Sequence, residues 1–382
     1  MELPIVSNYN NDTIKQKTFT YNKITYDILR YVKDKITCEN YNTLGMFRSV
    51  IYIKGKLVCF SPPKSFDIDL FKSRVYPYSM ITVEEYVEGT MINVFWNGFD
   101  WEIATRSSVG GNVSFYEKIS GSKSCKGKTF RQMFFDTLQY HDTNKEFFTT
   151  LNNMPKTYCF SFVLQHPENK IVTPFTQPHL YLVKTYDISI MGLIQEVSNE
   201  GKFPSWVKYP KKTDININNF DTIMTTMSNE YTDVGVMISG TDSKTHSTIR
   251  TKIRNQEYEK VKRLRGNQPK LQYQYLMLRT KQNIAEYLKY YPEHSSMFNI
   301  YKDQTQSFIK ELHNNYFSCY IKKLKPLKEF SPKFRTHMFK LHELYKNHLS
   351  KNNKIVNKNV VDIYVNNMPA SLLMSSINYQ NI

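Results

Sequence analysis

Apolar positions change rhythm once along the chain. From Phe47 to about Arg254 they fall into short alternating runs rich in β-branched and aromatic residues. That is the period of half-buried strands. RSVIYIKGKLVCFS predicts two strands around a Lys54-Gly55-Lys56 turn. MITVEEYVEGTMINVFW and WEIATRSS repeat the pattern around Asn97-Gly98. TYCFSFVLQ, IVTPF, LYLVKTYDIS and DVGVMISG predict further strands, and Phe and Leu at helical spacing from Thr129 to Met154 predict helix between them. A helix is also expected near Tyr26–Lys35. Beyond about residue 265 apolar residues recur every three to four positions, as in NQEYEKVKRLRGNQPKLQYQYLMLRTKQNIAEYLKYY and KFRTHMFKLHELYKNHL. The pattern predicts an α+β region over 1–260, a helical region over 261–382, and a frayed tail from Ala370.

Charge sharpens the division. The net charge is +17, and residues 261–382 carry 20 Lys+Arg against 7 Asp+Glu, so the basic excess is concentrated there. Such an excess favours an acidic partner, nucleic acid before an anionic membrane surface. A Lys-, Asn- and Ile-rich composition bias is the plain alternative. The five cysteines are scattered, with no Cys-x-x-Cys pair, which argues against a disulfide framework and a zinc site. No apolar run reaches the roughly 18–20 residues of a membrane span. The first residues lack the basic and apolar regions of a secretory signal. A soluble protein of the cytoplasm is the expectation.

Candidate chemistry gathers in six segments. Arg48 opens the first, ahead of CFSPPKSF. Tyr86-Val87-Glu88-Gly89-Thr90 is the second; no lysine occurs between Lys72 and Lys118. The third is Ile103–Ser108, centred on Arg106. The fourth is Thr157–Phe162, with Phe160 and Ser161, followed by HPENKIV. The fifth is Asp233-Val234-Gly235-Val236. The sixth is Thr251-Lys252-Ile253-Arg254, two cations two residues apart and therefore on one face of a strand. Taken singly, each also fits an ordinary surface cation or a core-facing aromatic. Residues 266–276 mix Lys and Tyr, and fit either base stacking or the entry to a helix packed on a core through Leu271, Tyr275 and Leu278.

In this order and spacing the segments resemble the bacteriophage RNA ligase 1-like family of covalent nucleotidyltransferases, and more particularly the RNA-ligase-like proteins of large and giant DNA viruses. The resemblance covers roughly residues 45–265. It implies a nucleotidyltransferase domain over 1–260, with antiparallel sheets lining a groove and helices outside, before the basic helical domain. In the family a lysine three residues before the glycine attacks the α-phosphate of ATP. Here that position is Tyr86, whose phenol ordinarily ionises near about 10. Two family glutamates that serve ribose or Mg²⁺ correspond to Ser161 and Val234. Asp233 is not expected to replace the second. The phosphate- and nucleotide-facing positions are kept as Arg48, Glu88, Arg106, Phe160, Lys252 and Arg254, and Tyr258 matches a family tyrosine.

No catalytic residue and no metal ligand remain by this resemblance. The expected function is a degenerate RNA-ligase-like protein that binds RNA, at a 5′ end, cap or nucleotide, in the ancestral groove. An active ligase using a modified route, and a scaffold subunit of a viral complex, stay open as alternatives. ATP or another nucleotide is the candidate ligand, with Mg²⁺ expected only if ligase chemistry survives. RNA is the expected partner, in the cytoplasm of an infected cell or its virus factory. Protein partners and oligomeric state are unassigned, and no membrane is expected.

Overall fold

The computed structural model describes residues 1–3, 12–75, 81–115, 117–120, 123–198, 200–213, 223 and 229–379. The chain divides into two compact units, Met1–Lys262 and Arg263–Ile382. The architecture is mixed α and β: antiparallel sheets first, a helical region at the C-terminus.

The first unit contains three main sheets. Sheet 1 runs in the order β1 (Ile14–Tyr21), β2 (Ile24–Tyr31), β3 (Val50–Ile53), β4 (Lys56–Phe60). Strands β5 (Thr82–Glu85), β6 (Thr90–Trp96) and β7 (Trp101–Ala104) follow, then the small pair β8 (Glu117–Ser120) and β9 (Lys123–Lys126). Next come β10 (Tyr158–Gln165), β11 (His179–Ile188), β12 (Ile194–Val197), β13 (Lys212–Thr213), β14 (Gly235–Thr241) and β15 (Thr248–Arg254). Sheet 2 has the order β12-β11-β10-β6-β7, and sheet 3 the order β13-β5-β14-β15.

Sheet 2 is covered on both faces, which is why β10 reads as a nearly unbroken apolar run. Phe160, Phe162 and Leu164 join Ile92 and Val94 of β6 against α2 (Phe130–His141) and α3 (Glu146–Asn153). On the opposite face Cys159 and Phe95 pack with the core of sheet 1, beside Tyr26, Phe47 and Phe60. Sheet 3 has its own core of Val83, Ile238, Ile249 and Ile253 under Phe71 of α1 (Ile68–Arg74).

Helix α4 (Gln256–Arg265) crosses the boundary between the units. The second unit holds α5 (Leu271–Thr280), α6 (Ile284–Tyr290), α7 (Ser295–Tyr316), α8 (Pro332–Leu344), α9 (Lys358–Asn366) and α10 (Ala370–Ile377). On α7 the buried residues Phe298, Tyr301, Thr305, Phe308, Leu312 and Tyr316 keep the helical spacing that marked the segment. Tyr275 lies 5.3 Å from Phe298 and 5.9 Å from Tyr301, ring to ring, so the segment after Gly266 is core rather than a stacking platform.

Three sequence expectations are corrected. Tyr26–Tyr31 is strand, not helix, because Tyr26 and Ile28 point inward from β2, which pairs with β1 and β3; of the expected helix a single 3-10 turn at Lys33–Lys35 is present. IVTPF is not a strand, because the amides of Val172 and Thr173 donate to the Glu88 carboxylate instead of a neighbouring strand. The tail is not frayed over 370–377. Leu373 is buried there, and the Ser376 hydroxyl lies 2.9 Å from His337 Nε2.

One buried carboxylate ties the end of β14 to α1. Asp242 is fully buried and accepts from Arg74 Nη2 at 2.6 Å, Asn42 Nδ2 at 3.1 Å, Thr245 Oγ1 at 2.8 Å and the Lys244 amide at 3.0 Å. Burial alone would raise its pKa, but these donors outweigh it and hold the carboxyl below its ordinary value. Its stabilising contribution is therefore present above the unfolded carboxyl pKa and lost as pH falls through the depressed folded one. Asp242→Ala is expected to cost about 3 kcal/mol at neutral pH, because it strands half-buried Arg74 and removes the acceptor of three other donors. Urea unfolding of both proteins should show that gap closing as the pH is lowered into the acid range.

Candidate functional site

The site begins with a crossing between two sheets. Strand β5 belongs to sheet 3 and β6 to sheet 2, so residues 86–89 carry the chain from one to the other. The Tyr86 amide donates to Gly235 O at 3.0 Å, which holds the start of the crossing against β14. Gly89 ends it at φ 151°, and a Cβ there would lie 2.5 Å from Leu164 O and 2.7 Å from Val163 Cγ1. Only glycine allows that approach. Glu88 is buried and accepts from Val172 N at 2.7 Å and Thr173 Oγ1 at 3.0 Å, with a further hydrogen bond from Tyr258. Its carboxylate thus works as an internal clamp between the crossing, the segment after HPENK, and α4.

Beside the crossing, β15 supplies a row of cations. Alternation puts Arg250, Lys252 and Arg254 on one face, and the register places Lys252 opposite Met237 and Met237 opposite Glu84. Arg48, from the loop before β3, lies within electrostatic reach of Arg250, Arg106 and Tyr86, and Lys252 within reach of Arg48, Arg254 and Lys262. Arg106 Nε donates to Arg48 O at 3.3 Å, and its guanidinium sits 5.1 Å from the centre of the Tyr31 ring. Arg48, Tyr86, Arg106, Lys252 and Arg254 are therefore gathered, together with Arg250 and Lys262. The period-two pattern Arg250-x-Lys252-x-Arg254 contained the signal for Arg250. Lys262 needed the helix α4 to bring it back.

The charges in this cluster are unequally paired. Arg254 is engaged: it bonds the Glu259 carboxylate, donates to Tyr86 Oη at 3.0 Å, and lies over the Tyr86 ring. Burial would lower its pKa, but Tyr86 and Glu259 raise it. Among the described residues, none of Arg48, Arg106, Arg250, Lys252 and Lys262 forms a salt bridge. The buried Nε atoms of Arg254 and Arg30 have no hydrogen-bond acceptor. Lys252 and Lys262 are both held below the ordinary lysine pKa, first by desolvation and then by neighbouring cations. Lys252 is nonetheless exposed, the combination expected of a side chain lining a concave surface.

A cleft of about 450 Å³ opens between sheets 2 and 3 on the same face, lined in part by Thr82, Glu84, Lys184, Thr185 and Lys212. Its lysines are balanced, Lys184 by Glu196 at 2.6 Å and Lys212 by Glu200 at 2.9 Å. The excess positive charge lies with the cluster around Tyr86 rather than in the cleft.

The other predicted positions lie elsewhere. Phe160 is fully buried in the helix-facing core, 5.3 Å from Phe203 and 5.8 Å from Trp101, ring to ring. Ser161 is fully buried and donates to Asn93 Oδ1 at 2.9 Å; Asn93 donates to Ser61 Oγ, and Ser61 to Ser49 O, each at 2.9 Å. That chain of hydrogen bonds supports the loop bearing Arg48. Val234 precedes β14, and its carbonyl accepts from Asn255 N at 3.2 Å. Asp233 Oδ1 accepts from the Gly235 amide at 3.1 Å, folding back on the turn. Local turn geometry, not strand alternation, sets its direction.

Mg²⁺ does not fit this donor set. Val234 is apolar, Ser161 is committed to Asn93, Glu88 and Glu259 are engaged, and the surrounding charge is positive. Among the described residues no group of three or more His, Cys, Asp or Glu is placed to hold a metal.

The chain matches no protein-family model. Among curated proteins it is similar to an RNA ligase of Rhodothermus phage RM378, 26% identical over 99 residues, which are 26% of this chain and 21% of that protein. It is also similar to the immediate-early protein ICP-46 of Frog virus 3 (isolate Goorha), 26% identical over 195 residues, 50% of this chain and 48% of that protein. The chain thus spans about half or less of the curated relatives it matches. Among solved structures it resembles an archaeal ATP-dependent RNA ligase, with a TM-score of 0.40 at 9% identity over 95% of this chain and 73% of that one. An RNA ligase of Naegleria gruberi gives a TM-score of 0.34 at 11% identity over 64% and 75%. The chain is RNA-ligase-like, with sequence similarity to phage and viral proteins. No helix among the described residues is long and apolar enough to cross a membrane.

Tyr86 offers a direct probe of the cluster. Burial would raise its phenol, but Lys252, Arg254 and Lys262 outweigh it and hold the pKa below the ordinary value. Monitoring tyrosinate absorbance across an alkaline titration should show one early ionisation that is absent from Tyr86→Phe. Pyrophosphate bound beside the phenol should move that ionisation upward, because it partly cancels the positive field.

Proposed function

We propose that this protein is a catalytically degenerate RNA-ligase-like protein that binds the phosphates of an RNA 5′ end or of a nucleotide, without a divalent cation. The observation that carries this reading is the set of five cations without carboxylate partners around Tyr86. Like charges held together while partly desolvated raise the free energy of the empty site. A phosphate group relieves that repulsion and satisfies donors at the same time. The chemistry of lysyl nucleotide transfer lacks its parts. Tyr86 stands at the nucleophile position, its hydroxyl held by Arg254, and Ser161 and Val234 bring no carboxylate.

Charge-assisted hydrogen bonds contribute about 1.5–3 kcal/mol each. Arg106 and Lys252 are both exposed, so changing them together to Ala should leave folding intact. The double variant should bind 5′-triphosphorylated single-stranded RNA at least about tenfold more weakly in metal-free buffer. Its salt dependence should become shallower by roughly 1.4 in log–log slope, about 0.7 per lost contact. Wild-type affinity with normal folding in that variant would remove the groove from consideration.

The same reading predicts that no lysine acquires nucleotide when the protein is incubated with α-labelled ATP or GTP and Mg²⁺. Tyr86→Lys alone should not restore ligation, since no carboxylate is regained at 161 or 234. Denaturing electrophoresis followed by peptide mapping checks both; a lysyl adduct in the native protein would establish an active enzyme instead.

A further inference from the structure

Among the described residues, the most exposed apolar side chains of the first unit lie at two hairpin tips. Phe99 is 75% exposed on the β6–β7 turn; Ile190 and Met191 are 85% and 91% exposed on the β11–β12 turn. Both tips are held rigidly. Asn97 Oδ1 accepts from the Phe99 and Asp100 amides at 2.9 Å each. Ser189 N donates to Leu193 O at 2.8 Å, and its hydroxyl accepts from Leu193 N at 3.0 Å. Ordered backbone therefore presents apolar side chains to water, an arrangement typical of interaction surfaces.

A cavity of about 400 Å³ opens here, lined by Ile53, Leu57, Trp96, Ile188 and Ile190, with Lys56 and Lys156 at its wall. Lys156 Nζ lies 4.3 Å from the centre of the Trp96 ring. Among the described residues Lys54, Lys56 and Lys156 form no salt bridge. The surface thus combines an apolar hole, protruding Ile and Met, and unpaired positive charge.

We propose that this face docks a segment of a partner protein that places an apolar side chain in the cavity and carboxylates on Lys56 and Lys156. Trp96 and Phe99 offer rings on which a nucleobase stacks, but the cavity is walled mainly by aliphatic Ile53, Leu57, Ile188 and Ile190, which favours an apolar side chain over a planar base as its occupant. A second copy of this chain would bring the same lysines face to face, with a net charge of +17 on each molecule. Docking here is independent of phosphate binding around Tyr86.

The test uses isothermal titration calorimetry with three synthetic peptides: Glu-flanked leucines, Lys-flanked leucines, and Glu-flanked serines. The Glu–Leu peptide should bind at least about tenfold more tightly than either control. It should lose at least about tenfold in Ile190→Ser/Met191→Ser, and likewise in Lys56→Glu/Lys156→Glu. All four substituted side chains are exposed, and circular dichroism confirms that the variants fold. No binding, equal binding of the Glu–Leu and Lys–Leu peptides, variants that bind like wild type, or displacement of the peptide by single-stranded RNA at this face would each overturn the proposal. Loss of phosphate binding in the groove variant with peptide docking intact would separate the two sites.

Discussion

The first unit depends on four residues that carry the chain from one sheet to another. At the crossing, Gly89 brings the backbone close to the carbonyl of Leu164, where a side chain would collide. Glu88 then uses its carboxylate to hold two backbone amides, a threonine hydroxyl and Tyr258. The buried carboxylate is tolerated because these donors satisfy it. With the crossing secured, Tyr86 is left facing β15, and the spacing of sheets 2 and 3 follows.

The electrostatics of this region are one-sided. Elsewhere in the unit, buried or half-buried cations meet carboxylates: Arg74 meets Asp242, Arg131 meets Glu102, and Lys184 meets Glu196. Around Tyr86 the paired cation is Arg254, while Arg48, Arg106, Arg250, Lys252 and Lys262 remain without such a partner among the described residues. Uncompensated like charge lowers stability unless something else repays it. The hydrogen-bond chain from Ser161 through Asn93 and Ser61 to Ser49 supports the loop that carries Arg48 among these cations.

Two surfaces of the first unit differ in kind. The cluster around Tyr86 is polar and basic; the hairpin-tip face is apolar, with lysines at the wall of its cavity. Each is built by a different sheet arrangement, so a change in one need not disturb the other.

Much of the chain was legible because periodicity is a local property. Strands β3 to β7, β10, β11, β14 and β15, and the helices after 270, follow from alternation or three-to-four spacing. The failures occurred where a distant partner decided. Residues 24–31 became a strand because sheet 1 pairs them on both edges, and 171–175 did not because Glu88 took their amides. The tail became a helix because Leu373 and Ser376 found a core. The candidate site divides in the same way. The sequence alone determined that no lysine lies between Lys72 and Lys118, and that Lys252 and Arg254 share a strand face, since identity and two-residue spacing are fixed along the chain. Tertiary structure decided that Glu88 clamps backbone, that Phe160 belongs to the core, and that Arg250 and Lys262 join the cations. Burial and charge pairing depend on groups far apart in sequence, and only folding brings those together.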